Sequence, residues 1–315
     1  MHNVLGSVFP QTLIMELRDR AIANMDSIRD DYFPGGDFGT FRREHLGHTS
    51  LVMKMAAFRF ASGDVLRALK SHLELKLVDP GRQDDVLLLH PIFYLRFSWP
   101  EISYSELHAK AFLDSQPHYD RAFGLNAFSF WTPLEAASDA TGGICYFEDA
   151  AVTEEFPFGK SNKHNYDTYL AAAPQLDPLL RRTAKAPAMA VGDVFTFDHT
   201  VLHGATKPKT ARRVSFDFRL CWASELAKVA PWVQSLVMEF NRAPDLCNAR
   251  NLLLIGDNVG ASRILKSLAD EGKALALVAD TLAQLPPAPD LLRQHAAMEW
   301  QREYAWARPQ VSAAY

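Results

Sequence analysis

The strongest constraint on the fold is the region from about Asp85 to Trp222, which consists of short hydrophobic runs. Five of these runs are rich in β-branched or aromatic residues: VLLLHPIFYLRFSW, NAFSFWTPL, GICYFE, AMAVGDVFTFD and RRVSFDFRLCW. Proline, glycine and aspartate separate the runs, and no helical period covers the whole region. A parallel sheet would need a helix between each pair of strands, so the pattern predicts an antiparallel sandwich or jelly roll.

Helical patterns flank this region on both sides. Apolar residues recur at three- and four-residue spacing from about Thr12 to Leu77, and again from Ala223 onward. An insert from about Ala150 to Arg182 also has helical character. We therefore predict a mainly β core within a domain of residues 1–222 that includes N-terminal helices, and a helical extension over residues 223–315 packed on it. The extension could brace the sheet, close a site or form a homo-oligomer contact.

Composition argues against several classes of partner. The chain has 33 Lys+Arg and 37 Asp+Glu residues, a formal charge of −4, and no block of one sign, so neither a nucleic-acid groove nor a membrane-binding patch is predicted. The three cysteines, Cys145, Cys221 and Cys247, form no C-x-x-C pair, which argues against a disulfide framework and a cysteine zinc site. There is no signal-peptide pattern and no apolar run of about 18 residues. We expect a soluble, cytoplasmic protein that acts on a small molecule.

A short motif, H-x-D, is the first sign of chemistry. His118 and Asp120 are one residue apart, so on an extended segment both side chains project to the same face. An imidazole and a carboxylate placed in this way can bind one metal ion, and the mixed nitrogen and oxygen donors suit Fe(II). The tripeptide alone is also typical of a surface turn with a hydrogen-bonding aspartate.

A second stretch, residues 192–219, strengthens the metal interpretation. His203 is followed by Gly204, where the missing side chain allows a close approach of backbone or ligand. On the next predicted strand the polar residues alternate with apolar ones and share one face; they are Arg213, Ser215, Asp217 and Arg219. The planar guanidinium of arginine matches a carboxylate, so Arg213 is a candidate anchor for a chelating 2-oxo acid. The alternative is an arginine paired with Asp217 or another acid at a sheet edge.

The order of these motifs resembles the Fe(II)/2-oxoglutarate-dependent dioxygenases. The motifs are H-x-D, then F-x-x-W-x-P-L with a GG turn, GD-x-x-x-F, L-H-G-A and R-x-S. Within that superfamily the sequence looks most like the phytanoyl-CoA dioxygenase-like branch, over about residues 90 to 222. The resemblance implies a double-stranded β-helix, a cupin-like jelly roll with helices packed outside.

The resemblance also implies a site and a reaction. The implied Fe(II) ligands are His118, Asp120 and His203. Arg213 is implied to pair with the C5 carboxylate of 2-oxoglutarate, with Ser215 beside it, and the co-substrate pocket is implied to be lined by Asn126, Phe128 and Trp131. The implied enzyme consumes O2, releases succinate and CO2, and hydroxylates, desaturates or cyclises a small molecule of natural-product or amino-acid-like metabolism.

Several alternatives stay open at the level of sequence. His199 lies four residues before His203 and competes with it as the third ligand, although Gly204-Ala205 favours His203. Arg212 and Arg219 compete with Arg213; Arg212 should face the opposite side of the strand, and Arg219 lies about 20 Å further along it. The rival functions are a cupin-like metal-dependent isomerase or hydrolase and a non-catalytic jelly-roll binding protein.

Overall fold

The computed structural model describes most of the 315-residue chain. The described residues are 1–32, 34–35, 51–77, 84–100, 106–120, 125–138, 140–158 and 166–270. The part of the predicted C-terminal extension after residue 270 lies outside them, as does the middle of the predicted insert, residues 159–165.

The strands in the described part of the chain form two antiparallel sheets. Their bounds are β1 (His2–Leu5), β2 (Leu87–Ser98), β3 (Leu113–His118), β4 (Ala127–Pro133), β5 (Ile144–Phe147), β6 (Val194–Asp198), β7 (Leu202–Thr206) and β8 (Arg213–Trp222). One sheet has the order β1-β6-β4-β8-β2 and the other β3-β7-β5. From β2 to β8 the chain alternates between the two sheets, which is the winding of a double-stranded β-helix. The predicted jelly-roll core with flanking helices is confirmed.

The helices lie before, between and after these strands. Their bounds are α1 (Gln11–Tyr32), α2 (Leu51–Phe60), α3 (Gly63–Glu74), α4 (Glu106–Lys110), α5 (Ala150–Glu155), α6 (Tyr166–Thr183), α7 (Ala223–Leu226), α8 (Pro231–Arg242), α9 (Pro244–Leu254) and α10 (Asn258–Asp270). Within the described ranges, no helix combines the length and the apolar character that crossing a bilayer requires.

The alternating pattern of β8 separates the outer core from the interior between the sheets. Every residue of β8 is buried. Val214, Phe216 and Phe218 belong to the largest hydrophobic cluster, together with side chains of α1, α2 and α3. Because successive side chains of a strand point to opposite faces, the polar residues at 213, 215, 217 and 219 point into the space between the two sheets.

The C-terminal helices share the core of the sheet. Phe240 of α8 and Leu252 of α9 lie in the same cluster as Phe216. Leu236 of α8 packs with Ile92 of β2, in a small cluster that also contacts Tyr94. Of the three roles that the sequence left open for this tail, the described part braces the sheet.

The GG turn before β5 depends on glycine at position 142. Gly142 has a φ of +63°, and a Cβ atom built there would lie 2.5 Å from the Thr206 carbonyl oxygen and 2.6 Å from that of Lys207. An alanine would therefore be strained by its backbone angle and by contacts with backbone atoms that cannot rotate away. We expect Gly142→Ala to reduce the free energy of unfolding by about 1–3 kcal/mol, measured by urea denaturation. Gly143→Ala is the control, since its Cβ would meet only the Trp131 ring at 3.7 Å; equal losses in both variants would contradict the explanation.

Candidate metal centre

Two neighbouring strands of the smaller sheet bring the candidate metal ligands together. His118 at the end of β3 is the register partner of His203 on β7, and Asp120 follows two residues after His118. The donor atoms of these three side chains all lie within 4.8 Å of one another. The two imidazole centroids are 4.3 Å apart. Residues 85 positions apart in the sequence therefore share one small volume because β3 and β7 are paired.

Backbone hydrogen bonds orient both imidazoles. Nδ1 of His118 lies 2.8 Å from the Gln116 carbonyl oxygen, and Nδ1 of His203 lies 3.1 Å from that of Val201. A carbonyl oxygen only accepts, so each Nδ1 carries the proton and donates it. Nε2 of each ring then has its lone pair available, as in most metal-binding histidines.

The carboxylate of Asp120 is held through one of its two oxygens. Oδ2 accepts a hydrogen bond from the Ser129 hydroxyl and lies 2.7 Å from Nη2 of Arg219. The other oxygen, Oδ1, lies 3.7 Å from Nε2 of His203. Oδ1 is therefore the oxygen directed at the two imidazoles, and Oδ2 is occupied by protein donors.

Electrostatics favours the protonation states that bind a metal. Burial, and then the neighbouring His118, lowers the pKa of His203 to about 3. Burial also lowers the pKa of His118. Burial would raise the pKa of Asp120, but Arg219 and the two histidines hold it well below its usual range. Neutral imidazoles beside an ionised carboxylate are the donor set of the two-histidine, one-carboxylate iron sites.

Aromatic side chains form one wall of the site, and their contacts distinguish His203 from His199, the other candidate for the third ligand. The ring of Phe197 lies 4.5 Å from that of His203. Phe197 in turn belongs to a buried cluster with Trp131, one of the predicted pocket residues. His199 is not part of the three-residue group; its ring lies 5.8 Å from that of Phe158. The structure brings His203, and not His199, to the other two candidate ligands.

The three arginines named in the sequence analysis occupy three different surroundings. Arg213 is buried, with Nη1 2.7 Å from the Thr206 carbonyl oxygen and Nη2 3.3 Å from Asp114. Arg212 faces the other way, as predicted, and Nη2 lies 2.7 Å from Glu135. Arg219, six residues further along β8 than Arg213, contacts Asp120. Arg219 is therefore the arginine that reaches the candidate metal ligands.

Sequence reasoning missed a third inward-facing arginine, Arg96 of β2. Its Nε donates to Oδ2 of Asp217 at 2.9 Å, and its guanidinium lies 4.7 Å from the centre of the Tyr94 ring. Alternation in FYLRFS places Arg96 on the polar face of its strand. This alternation of apolar and polar residues is the sequence signal that identifies Arg96.

The remaining predicted pocket residues divide between the two faces of the sheet. Ser215 is fully buried in the barrel interior, and its hydroxyl has no hydrogen-bond partner among the described residues. Phe128 packs against the outer core, on the face opposite Ser129 and Trp131. Asn126 is exposed and precedes β4. The structure does not bring Phe128 or Asn126 to the candidate ligands, because the strand alternates sides at every residue.

A cavity of about 550 Å³ opens at the end of the smaller sheet that lies away from His118 and His203. Its wall includes Trp131, Ile144 and Thr206, and the cationic side chains of Arg181 and Lys207. Trp131 therefore borders this cavity as well as the aromatic cluster beside His203. The cavity does not include any of the three candidate ligands.

Comparisons with known proteins give structural neighbours only. No family model matches the sequence, and no curated protein matches it. The epimerase SnoN in complex with Fe3+, alpha ketoglutarate and nogalamycin RO is 14% identical, covers 70% of this chain and 78% of its own, and has a TM-score of 0.41. The non-heme alpha ketoglutarate dependent carbocyclase SnoK from nogalamycin biosynthesis is 15% identical, with the same coverages and a TM-score of 0.42. AviO1 from Streptomyces viridochromogenes Tue57 is 13% identical, covers 70% and 89%, and has a TM-score of 0.39.

The names of two of these neighbours mention alpha ketoglutarate: SnoN is in complex with it, and SnoK is described as dependent on it. With TM-scores below 0.5, these likenesses carry no argument about this chain, and the site stands on its own geometry. The chain is a double-stranded β-helix whose smaller sheet brings two histidines close to one aspartate, in a group whose donor atoms could hold one metal ion.

Proposed function

We propose that this chain is an Fe(II)- and 2-oxoglutarate-dependent oxygenase that oxidises a small molecule. The observation that carries the proposal is the convergence of His118, Asp120 and His203, whose donor atoms lie within 4.8 Å of one another while both Nδ1 atoms face backbone carbonyl oxygens. Two imidazoles and one carboxylate on one side of a metal ion are the donor set of non-haem iron oxygenases, and they leave further positions open.

The residues present suit that metal and that co-substrate. Bound iron would supply the oxidative chemistry by activating O2 with electrons from 2-oxoglutarate, which leaves as succinate and CO2. The chain contributes neutral imidazoles and an ionised carboxylate, and its aromatic wall around Phe197 keeps water from one side of the site. Inward-facing arginines supply positive charge for a dicarboxylate. The motif resemblance proposes Arg213, with Ser215, for this role.

The fold alone gives neither the reaction class nor the substrate class, and we propose both. Because Asp120 supplies the carboxylate of the proposed iron site, we favour hydroxylation, desaturation or ring formation as the reaction class. We infer a small-molecule substrate, since the sequence has no block of one charge sign of the kind that binds a nucleic acid. A cupin-like isomerase or hydrolase would share the metal ligands but have no use for 2-oxoglutarate.

Anaerobic titration with Fe(II) and 2-oxoglutarate tests this function directly. We expect a weak visible charge-transfer band when both are added to the protein and no band when either is left out. His118→Ala should lose the band because one imidazole ligand is missing, whereas His199→Ala should keep it. A protein that binds Fe(II) but forms no complex with 2-oxoglutarate would support the isomerase or hydrolase alternative. A protein that binds neither Fe(II) nor 2-oxoglutarate would support the alternative of a non-catalytic jelly-roll binding protein.

A further inference from the structure

The cavity of about 550 Å³ at the far end of the smaller sheet is separate from the candidate metal centre. None of the three candidate ligands lines it, and neither does Arg213 or Ser215, the pair that the motif resemblance assigns to the co-substrate. Its walls include the start of β5, the end of β7, the residues before β3, the last turn of α6 and the segment that follows α6. A ligand bound there would therefore leave the site of the proposed reaction open.

The charged side chains that line this cavity in the described part of the chain are all cationic. They are Arg181, Lys207 and Lys209, and no aspartate or glutamate is among the described lining residues. The chain as a whole has a formal charge of −4, so these three cations are not a sample of its average surface. A concave site lined by one sign of charge attracts ligands of the opposite sign. The cavity is therefore suited to an anion.

Two of these cations lie close enough to affect each other. Burial lowers the pKa of Lys207, and the charge of Arg181 acts in the same direction, although nearby carboxylates offset part of the shift. The Lys207 ammonium donates a hydrogen bond to the His108 carbonyl oxygen, and an ammonium group has three donors in all. An anion beside Lys207 and Arg181 would accept further hydrogen bonds and reduce the repulsion between the two positive charges.

One of those nearby carboxylates, that of Asp177, is already held by other donors. Its Oδ2 accepts a hydrogen bond from the backbone N–H of Phe112 at 2.7 Å, and its Oδ1 accepts one from the Tyr169 hydroxyl at 3.2 Å. Asp177 is buried, with an exposure of 8%. Its two oxygens therefore stabilise the contact between α6 and the start of β3, and an incoming anion would not have to displace them.

Apolar side chains line the cavity next to its cations. They include Phe112, Trp131, Ile144 and Met189. The guanidinium carbon of Arg181 lies 4.6 Å from the centre of the Phe112 ring, so a cation and an apolar surface are in direct contact. Ligand sites of this kind combine a mostly apolar lining with a few polar groups that orient the ligand. The cavity therefore suits a molecule with an apolar body and an anionic group.

We propose that this cavity binds a small amphipathic organic anion. Its apolar body contacts Trp131 and Phe112, and its carboxylate, phosphate or sulfonate group lies beside Lys207 and Arg181. This binding site is distinct from the metal centre and from the co-substrate, so its existence does not depend on the proposed function.

Fluorescence titration with anilinonaphthalene sulfonate, an aromatic ring system with one anionic group, tests the proposal on protein without added iron. We expect one dye molecule to bind per chain. Lys207→Gln should raise the Kd about 10-fold, because it removes a partly buried charged donor. Arg181→Gln should raise it about 3-fold, because Arg181 is exposed and exposed charges interact more weakly. Arg182→Gln is the matched control: it removes the same charge from the next residue of α6, which does not line the cavity.

Two further measurements separate this site from others. The uncharged parent compound phenyl naphthylamine should bind more weakly than the dye, and equally to the wild type and to Lys207→Gln. His118→Ala should bind the dye as the wild type does, because the metal centre lies at the other end of the smaller sheet. Displacement of the dye by 2-oxoglutarate, added anaerobically with Fe(II), would identify the cavity as part of the co-substrate site and overturn the proposal.

Arg181→Gln keeps the test decisive even if Lys207→Gln fails to fold, since an exposed side chain is replaced. Wild-type dye affinity in Arg181→Gln, or an equal loss in Arg182→Gln, would show that the cavity makes no specific contact with the anionic group and would overturn the proposal. Either result leaves the proposed function standing, because the anaerobic titration with Fe(II) and 2-oxoglutarate measures a different site.

Discussion

Replacement of Asp120 with alanine is expected to remove Fe(II) binding and to destabilise the protein at the same time. The carboxylate is the only anionic member of the three candidate ligands, and it is also the partner of the Arg219 guanidinium at 2.7 Å. The side chain of Arg219 is only 5% exposed. Without Asp120 a buried cation loses its closest anion, which costs about 3–5 kcal/mol of unfolding free energy.

Two measurements separate these effects. Fe(II) affinity is measured by anaerobic competition with a chelator, and we expect it to fall more than about 100-fold. Loss of a residue that only hydrogen-bonds to a metal ligand lowers metal affinity about 10- to 100-fold, so a larger loss indicates a ligand. Ser129→Ala is the matched control: it removes the hydroxyl that donates to Oδ2 and leaves the carboxylate in place. We expect Ser129→Ala to weaken Fe(II) binding about 10-fold or less. Fe(II) affinity that survives in Asp120→Ala would refute the assignment of this carboxylate.

The second large effect is expected far from the metal site, where Arg59 joins three helical segments. Arg59 of α2 contacts both oxygens of Asp257, at 2.7 and 2.6 Å, and Asp31 of α1 at 2.8 Å. Tyr32 of α1 also donates to Asp257 at 2.6 Å. Asp257 directly precedes α10, and its side chain is completely buried. Arg59 therefore ties the N-terminal helices to the C-terminal ones.

We expect Arg59→Ala to lower the free energy of unfolding by about 3–5 kcal/mol, because it leaves the buried carboxylate of Asp257 without a guanidinium. Guanidinium chloride denaturation measures the loss. Arg263→Ala is the control: Arg263 also pairs with Asp31, at 2.6 Å, but is 54% exposed, and its removal should cost about 1 kcal/mol or less. The double variant Arg59→Met/Asp257→Leu should recover part of the loss, since it leaves no unpaired charge at the centre of the network. Similar losses for Arg59→Ala and Arg263→Ala would contradict the role of burial.

Sequence periodicity was sufficient for the strands that alternate strongly. RRVSFDFRLCW and NAFSFWTPL become β8 and β4 because large apolar side chains at every second position need a core on one face. The same reasoning missed β1 and did not identify LHGAT as β7. These strands are short, and LHGAT has little apolar alternation. What holds it in place is pairing with β3 and β5, which no local pattern reveals.

The sequence by itself predicted a sandwich or jelly roll and placed His118 and Asp120 on one face; its resemblance to a known family implied the jelly roll and His203 as the third candidate ligand. Spacing within a motif is local, so H-x-D predicts a shared face before any tertiary contact is known. Only the tertiary structure decided that Arg219 contacts Asp120, that Arg213 is enclosed by protein acceptors, and that Arg96 faces Ser215. Those relations depend on the register between strands that are distant in the chain, and the register is set by packing of the whole core.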